Sequence, residues 1–355
     1  AVLTIEAPQA HRAVGAIPAV YLLVGQGLSG AYTLIRGRAA RFRAVVAAVL
    51  CFGLALVAAR LNVSTYFRTQ VRTQLAWQAF ETDYHEIARF IAPHRDRYDI
   101  WVSPLYHDYP ILQFHLGEGF PYQRFLLAEH FPLSPTRLRA ETEGSLYVLE
   151  PFQKGLYTLF KELYPGARLE DHRDPFGRTM FVAIVVPRRD LYNPTDPAAV
   201  RNGFLGAYYP NERWEGRPGI LRRDPAVFFH FHWHGEALPD PFTVDWSTQL
   251  RIEEPGRYVF DVTTAGPTAI FLDDRVIAEA AASGDPHSVL ATAELSKGDH
   301  VFAVRFLKKM YASTIYVSWR PPSGITSAIP LRLLRPLSHE DYERLRPRLP
   351  TPGAQ

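Results

Sequence analysis

The feature that most constrains this chain is a run of 23 residues from Ala13 to Ile35 without a charge, followed soon after by an uncharged run of 16 residues from Ala44 to Ala59. Roughly 20 apolar residues in helical conformation cross a hydrocarbon layer about 30 Å thick. The first run is long enough by itself. The second makes about 24 Å of helix, and Arg43 and Arg60 can extend it by snorkelling from its ends. Pro18 and the glycines of the first run are tolerated in membrane helices. Between the runs stand Arg36, Arg38, Arg41 and Arg43, and short arginine-rich loops stay on the cytoplasmic side. Residues 1–64 therefore predict a transmembrane hairpin with both ends outward; the other reading is a pair of core helices in a soluble domain. There is no initiator Met and no charged stretch ahead of a cleavable apolar core, so the sequence is expected to begin inside a longer protein.

Composition narrows the rest. At 355 residues with 47% hydrophobic and 13% aromatic content, the chain can bury more than one core. Its excess of basic over acidic side chains is only +3, a balanced mixture rather than a basic stripe, which argues against nucleic acid as a partner. A single cysteine, Cys51, excludes an internal disulfide framework and cysteine-rich zinc sites.

After the apolar runs, Phe67, Val71, Leu75, Phe80, Tyr84, Ile87 and Ile91 recur at helical spacing and predict one amphipathic helix from Tyr66 to Ile91. Apolar segments at Asp99–Val102, Ser145–Leu149 and Met180–Val186, with a helical pattern from Phe152 to Leu163, predict a small α/β domain over 65–196. Arg168, Glu170, Asp171 and Asp174 read as a solvated loop before the last of these strands. The dinucleotide fingerprint, the phosphate-binding loop, GxSxG and HExxH are all absent, and no catalytic residue is assigned. His107, His115 and His130 lack ligand spacing and read as packing or surface histidines.

Past Asn193, Pro194, Asp196 and Pro197 the texture changes to short alternating segments broken by Pro and Gly. Tyr258, Phe260 and Val262, then Phe302, Val304 and Phe306, then Ile315, Val317 and Trp319 each recur with a period of two, and predict a sandwich or barrel over 200–336. Glu254-Pro255-Gly256-Arg257 predicts a type II turn and Lys297-Gly298-Asp299 a second tight turn. Residues 337–355 predict a short helix capped by Ser338 and then a disordered tail.

His230, His232 and His234 alternate with Phe231 and Trp233, which puts three imidazoles on one strand face at a spacing a metal could use. A solvent-facing histidine row opposite a buried aromatic row explains the same pattern. Trp214, Tyr208, Tyr209 and Tyr311 could offer flat faces to a sugar, whereas Trp233, Trp246 and Trp319 read as core.

The stretch from about Asn202 to Leu334 resembles the PA14 domain, a β-sandwich module of adhesins, glycosidases and glycosyltransferases. The elements that carry the resemblance are Gly203-Phe204-Leu205-Gly206-Ala207-Tyr208-Tyr209, Pro241-Phe242-Thr243-Val244-Asp245-Trp246, Pro255-Gly256-Arg257-Tyr258-Val259-Phe260, Ile270-Phe271-Leu272-Asp273, Lys297-Gly298-Asp299-His300 and Val317-Ser318-Trp319 before Pro321-Pro322. It implies glycan binding, and an independently folding module. In calcium-dependent members an adjacent aspartate pair holds the ion; the corresponding loop here is Thr263-Thr264-Ala265-Gly266, so a calcium cofactor is not expected. Thr264, Asp273, Asp274 and Trp214 remain the ligand-binding candidates, with a turn-forming reading for the adjacent Asp273 and Asp274.

The part from Glu6 to Asp190 resembles the end of bacterial GT-C membrane glycosyltransferases, similar to the dolichyl-phosphate-mannose protein mannosyltransferase group. Ala7-Pro8-Gln9-Ala10-His11-Arg12-Ala13-Val14-Gly15-Ala16-Ile17-Pro18, the apolar hairpin, Asn62 to Phe67, and Tyr164-Pro165-Gly166-Ala167 carry it. The resemblance implies a non-catalytic C-terminal portion of an enzyme that uses a polyprenyl-phosphate-linked sugar, set in the lipid bilayer of the bacterial inner membrane with residues 62–355 periplasmic or extracellular. The catalytic loop of such enzymes lies upstream of Ala1. A stand-alone membrane-anchored carbohydrate-binding protein and a structural extracytoplasmic module are the alternatives.

Overall fold

Period-two alternation builds most of what is seen in the computed structural model, which describes residues 22–27, 29–30, 40–69, 72–79, 81–196, 198–231, 238–273, 275–283, 285–309 and 313–352. The chain divides after residue 80 into two units. In the first, Ala40–Ser64 is a single α-helix continued by a wider turn over Thr65–Thr69. Its stretch Val45–Thr69 is long and apolar enough to cross a membrane by length and composition, with hydropathy 2.1. The first apolar run lies largely outside the described residues, as do Arg36 and Arg38; residues 22–27 and 29–30 are helical.

The single amphipathic helix expected over Tyr66 to Ile91 is broken. Gln74–Ala79 and Thr82–Ile91 are separate helices, and Glu81 between them stands at φ 50, a left-handed conformation that no helix can run through. Helical spacing of apolar residues continues across the break, which is why periodicity did not show it.

In the second unit, residues 81–355, the first layer is a five-stranded sheet of β1 (Tyr98–Val102), β2 (Tyr122–Arg124), β3 (Gly144–Leu149), β4 (Arg168–Arg173) and β5 (Thr179–Pro187) in the order β2-β1-β3-β5-β4. β1 runs parallel to β2 and β3, while β5 is antiparallel to β3 and β4. The helix Tyr157–Leu163 buries Leu159, Phe160 and Leu163 with Trp101, Tyr147 and Ile184. β4 corrects the solvated loop expected at Arg168 to Asp171. Its charges are surface partners, Asp171 to Lys154 at 2.8 Å and to Arg173 at 2.9 Å, and these pairs together hold the Asp171 carboxyl down to about 2 against the opposing effect of burial.

The second layer is a sandwich. β6 (Phe204–Tyr209), β7 (Ile220–Asp224), β8 (Phe228–Phe231), β9 (Phe242–Ile252), β10 (Gly256–Thr264), β11 (Thr268–Leu272), β12 (Arg275–Ala280), β13 (His287–Leu295), β14 (Gly298–Lys308), β15 (Ser313–Arg320) and β16 (Leu334–Pro336) supply it. One sheet runs β13-β10-β15-β8; the other runs β12-β11-β14-β9-β6-β7, with β16 beside β9. Trp246, Phe260, Phe302, Phe306, Val317 and Trp319 fill the space between them. Gly256 stands at φ 145, far from the value of about +80° that a type II turn uses at this position, so the expected turn takes another form.

Strand alternation understates burial in β9 and β14, where Ala303 and Arg305 are as buried as Phe302 and Val304. The expected C-terminal helix, together with residues after it that were expected to be disordered, explains this. The helix His339–Leu345 is capped by Ser338, whose Oγ accepts from Asp341 N. Tyr342, Leu345 and Leu349 are buried on the outer face of that sheet, with Leu307 and Tyr209 around Tyr342 and Phe271 and Ala303 around Leu345. The sandwich also shares a core with the α/β sheet, since Phe228, Tyr316, Ala328 and Leu331 belong to the same cluster as Phe160 and Leu163. The stretch 202–334 thus leaves two of its faces to be covered by other parts of the chain.

Candidate functional site

The glycines and acidic residues that stand out in the sandwich sequence meet at two buried carboxylates. Asp224 accepts from Tyr208 Oη (2.6 Å), Trp246 Nε1 (2.8 Å) and Arg222 Nε (2.9 Å). A Cβ on Gly206 would come within 2.4 Å of Asp224 Oδ2, so only glycine fits beside the carboxylate. Burial pushes the Asp224 carboxyl up, against the pull of Arg222 and the three donors.

Asp245, on β9, takes Arg305 Nε at 2.8 Å and Nη2 at 3.2 Å, a two-pronged pair, and accepts from Tyr342 Oη at 2.7 Å. Tyr342 Oη lies 2.6 Å from Tyr209 Oη. These contacts stitch the C-terminal helix to the sheet, so the signature residues of this sandwich serve its interior.

The sugar-stacking candidate Trp214 belongs to the same interior. It is 4% exposed and stands at φ 57; its Nε1 donates to Val244 O at 3.2 Å, and the Arg305 guanidinium covers the ring at 4.9 Å. No face is left for a ligand, a correction to the expectation of an exposed ring. Tyr208 and Tyr209 are buried in the same way, and Tyr311 lies outside the described residues. Trp246 and Trp319 are core.

Thr264 is also spent internally. Its Oγ1 accepts from Gly266 N at 3.2 Å and lies 2.8 Å from Thr268 Oγ1, within a buried turn. The loop expected to face a ligand is closed on itself because Gly266 packs against Leu307 O and Phe306, where a Cβ would come within 2.4 Å of the carbonyl.

Asp273 does reach the surface. It sits at φ 52 in the β11–β12 hairpin, with Oδ1 accepting from Val301 N (2.9 Å) and Oδ2 2.8 Å from His300 Nδ1. His300 Nε2 lies 2.9 Å from Ser296 O. Burial works against charge on this imidazole, but the Asp273 carboxylate and the Ser296 carbonyl outweigh it and raise its pKa. Asp273 therefore binds its own hairpin to β14. Asp274 lies outside the described residues.

Of the histidine row, only His230 is described; His232 and His234 are not. His230 Nδ1 lies 2.9 Å from Glu150 Oε2, joining the sandwich to the α/β sheet. Among the described residues no group of three or more His, Cys, Asp or Glu side chains is arranged to hold a metal. Sequence reasoning passed over Glu150, since no local motif marks a lone Glu at a strand end. His107 pairs with Asp108, and His130 Nδ1 accepts from Leu126 N.

Residues 200–332 match the family model of the PA14 domain, to which the C-terminal sandwich is similar. No curated protein matches the chain. Among solved structures, an anti-sigma factor domain-containing protein is 18% identical with a TM-score of 0.37, over 39% of this chain and 48% of that one. An anti-sigma factor domain-containing protein from Clostridium clariflavum is 16% identical (TM-score 0.34; 44% and 65% covered). The PA14 sugar-binding domain from an RTX adhesin is 11% identical (TM-score 0.34; 38% and 99% covered). The chain spans less than two thirds of the length of the first two.

Proposed function

We propose that this chain is the extracytoplasmic, non-catalytic end of a membrane glycosyltransferase using a polyprenyl-phosphate sugar donor, and that its PA14 domain binds or positions the glycan. The observation that carries the glycan part is the PA14 match over 200–332. The apolar helix Val45–Thr69 supports the anchor in the bilayer of the bacterial inner membrane, and the transferase parent rests on the sequence resemblance of 6–190.

With Thr264 and Trp214 used internally and no acidic pair in the loop 263–266, affinity has to come from neutral hydrogen bonds and apolar contact. Dissociation constants are expected in the millimolar range, about 4 kcal/mol of binding free energy. NMR titration of the full chain in detergent micelles with oligosaccharides, first with calcium and then with chelator, tests this. Weak shifts unaffected by chelator are expected. Tight binding abolished by chelator would place a metal site in this domain; no shift with any glycan would leave a structural spacer, the reading that the buried Trp214 and Thr264 favour.

Sidedness has its own test. With Cys51 replaced by Ser, a cysteine introduced as Asp285→Cys is expected to react with an impermeant maleimide in intact cells whose outer layers are permeabilised. Reaction only after lysis of the inner membrane would put residues 62–355 in the cytoplasm and remove this proposal.

A further inference from the structure

A cavity of about 90 Å³ lies where the α/β sheet meets edge strand β8, bounded by Pro104, Gln153, Phe228, Phe229 and His230 among others. One water needs about 10–15 Å³ by this measure, so the space has room for more than one water or for part of a small ligand. Topology points to the same place independently. From β1 the chain leaves to β2 on one side and returns to β3 on the other. In open α/β sheets, ligands bind outside the carboxyl ends of the strands where the order switches in this way. Pro104 follows Ser103 just past the end of β1, and Glu150 follows the end of β3.

The chemistry there is mixed. Phe228 and Phe229 supply apolar walls, suited to the C–H face of a pyranose. Gln153 and His230 supply hydrogen-bonding groups, and Gln153 Oε1 is held by Glu150 N at 3.2 Å, which directs its amide nitrogen elsewhere. Glu150 is 3% exposed and its Oε2 holds His230. The neighbouring Tyr316 hydroxyl is buried, with its ionisation pushed well up by burial and then by the Glu150 charge. The two arginines on the cavity wall are already neutralised, Arg222 by Asp224 and Arg124 by Asp108. A neutral hydroxylated ring therefore suits this cavity better than a phosphate.

We propose that this crevice, rather than the turn at Thr264, is the monosaccharide subsite of the chain, with His230 and Gln153 contacting the hydroxyls and Glu150 positioning the His230 ring. The inference rests on the glycan reading above and specifies where the sugar sits. Methyl α- and β-glycosides of glucose, mannose and galactose are titrated into the full chain in micelles, with ring nitrogens of 15N-labelled histidine observed and His230 assigned by its loss in His230→Ala. At least one glycoside is expected to shift the His230 ring saturably. Glu150→Gln keeps the shape but removes the charge on the ring's partner, so it should weaken that glycoside about tenfold with little change in the unfolding midpoint. Gln153→Ala should weaken binding with the His230 signal retained. Sugar binding that leaves His230 unmoved and is indifferent to both substitutions would overturn the crevice while leaving the glycan reading intact. Absence of binding by any glycoside would overturn both, and binding of sugar phosphates alone would overturn the assignment of a neutral ligand.

Discussion

Ending the chain after Pro336 is expected to destabilise the sandwich by about 3–5 kcal/mol. Tyr342, Leu345 and Leu349 are buried on the outer face of β9 and β14, and burial of such side chains stabilises by about 1.5–3 kcal/mol each. Part of that is offset by the entropy of ordering the tail. The loss does not stop at the tail. Arg305 loses the Leu349 carbonyl at 2.7 Å, Asp245 loses Tyr342, and Trp214 loses the Arg346 donor to its carbonyl at 2.6 Å. Domain stabilities are typically about 5–15 kcal/mol, so the shortened protein should be marginal and prone to aggregate. The check is the guanidinium chloride midpoint of the full and shortened chains in the same micelles, followed by tryptophan fluorescence. Equal midpoints would show that the tail only rests on the sheet. The same reasoning predicts that residues 202–334 made alone fold poorly, against the expectation of independent folding.

Asp224→Ala should cost about 3–5 kcal/mol, the amount typical of stranding one partner of a buried ion pair. The substitution leaves the Arg222 guanidinium without its carboxylate, with Tyr208 Oη and Trp246 Nε1 deprived of an acceptor, and opens a void beside Gly206 where the carboxylate had packed. Asp224→Asn keeps one acceptor oxygen in place and should cost less than the alanine variant. A midpoint for Asp224→Ala within experimental error of wild type would mean that water enters and solvates Arg222.

The strands of the sandwich core were legible because each closes one face on the other sheet, and a one-sided face writes itself as a period of two. Tyr258, Phe260 and Val262 on β10 are such a case. Where a second surface covers the strand, as the tail covers β14, alternation marks only half of the burial. β4 was missed because its side chains are mostly polar surface partners, so it carries no apolar signal. The helix break at Glu81 was missed because a left-handed residue leaves no trace in hydropathy.

By itself the sequence determined the PA14 class of residues 200–332, the apolar helix, the absence of cysteine and nucleotide motifs, and the turn-rich texture of the C-terminal part. These depend on local pattern and on ordered short motifs. Only the tertiary structure decided which aromatics are available, which carboxylates are interior hubs, and that Glu150 meets His230, 80 positions away in sequence, at 2.9 Å. Exposure and pairing depend on what packs from elsewhere in the chain. A tryptophan such as Trp214 therefore reads the same in sequence whether its face meets a sugar or, as here, the guanidinium of Arg305.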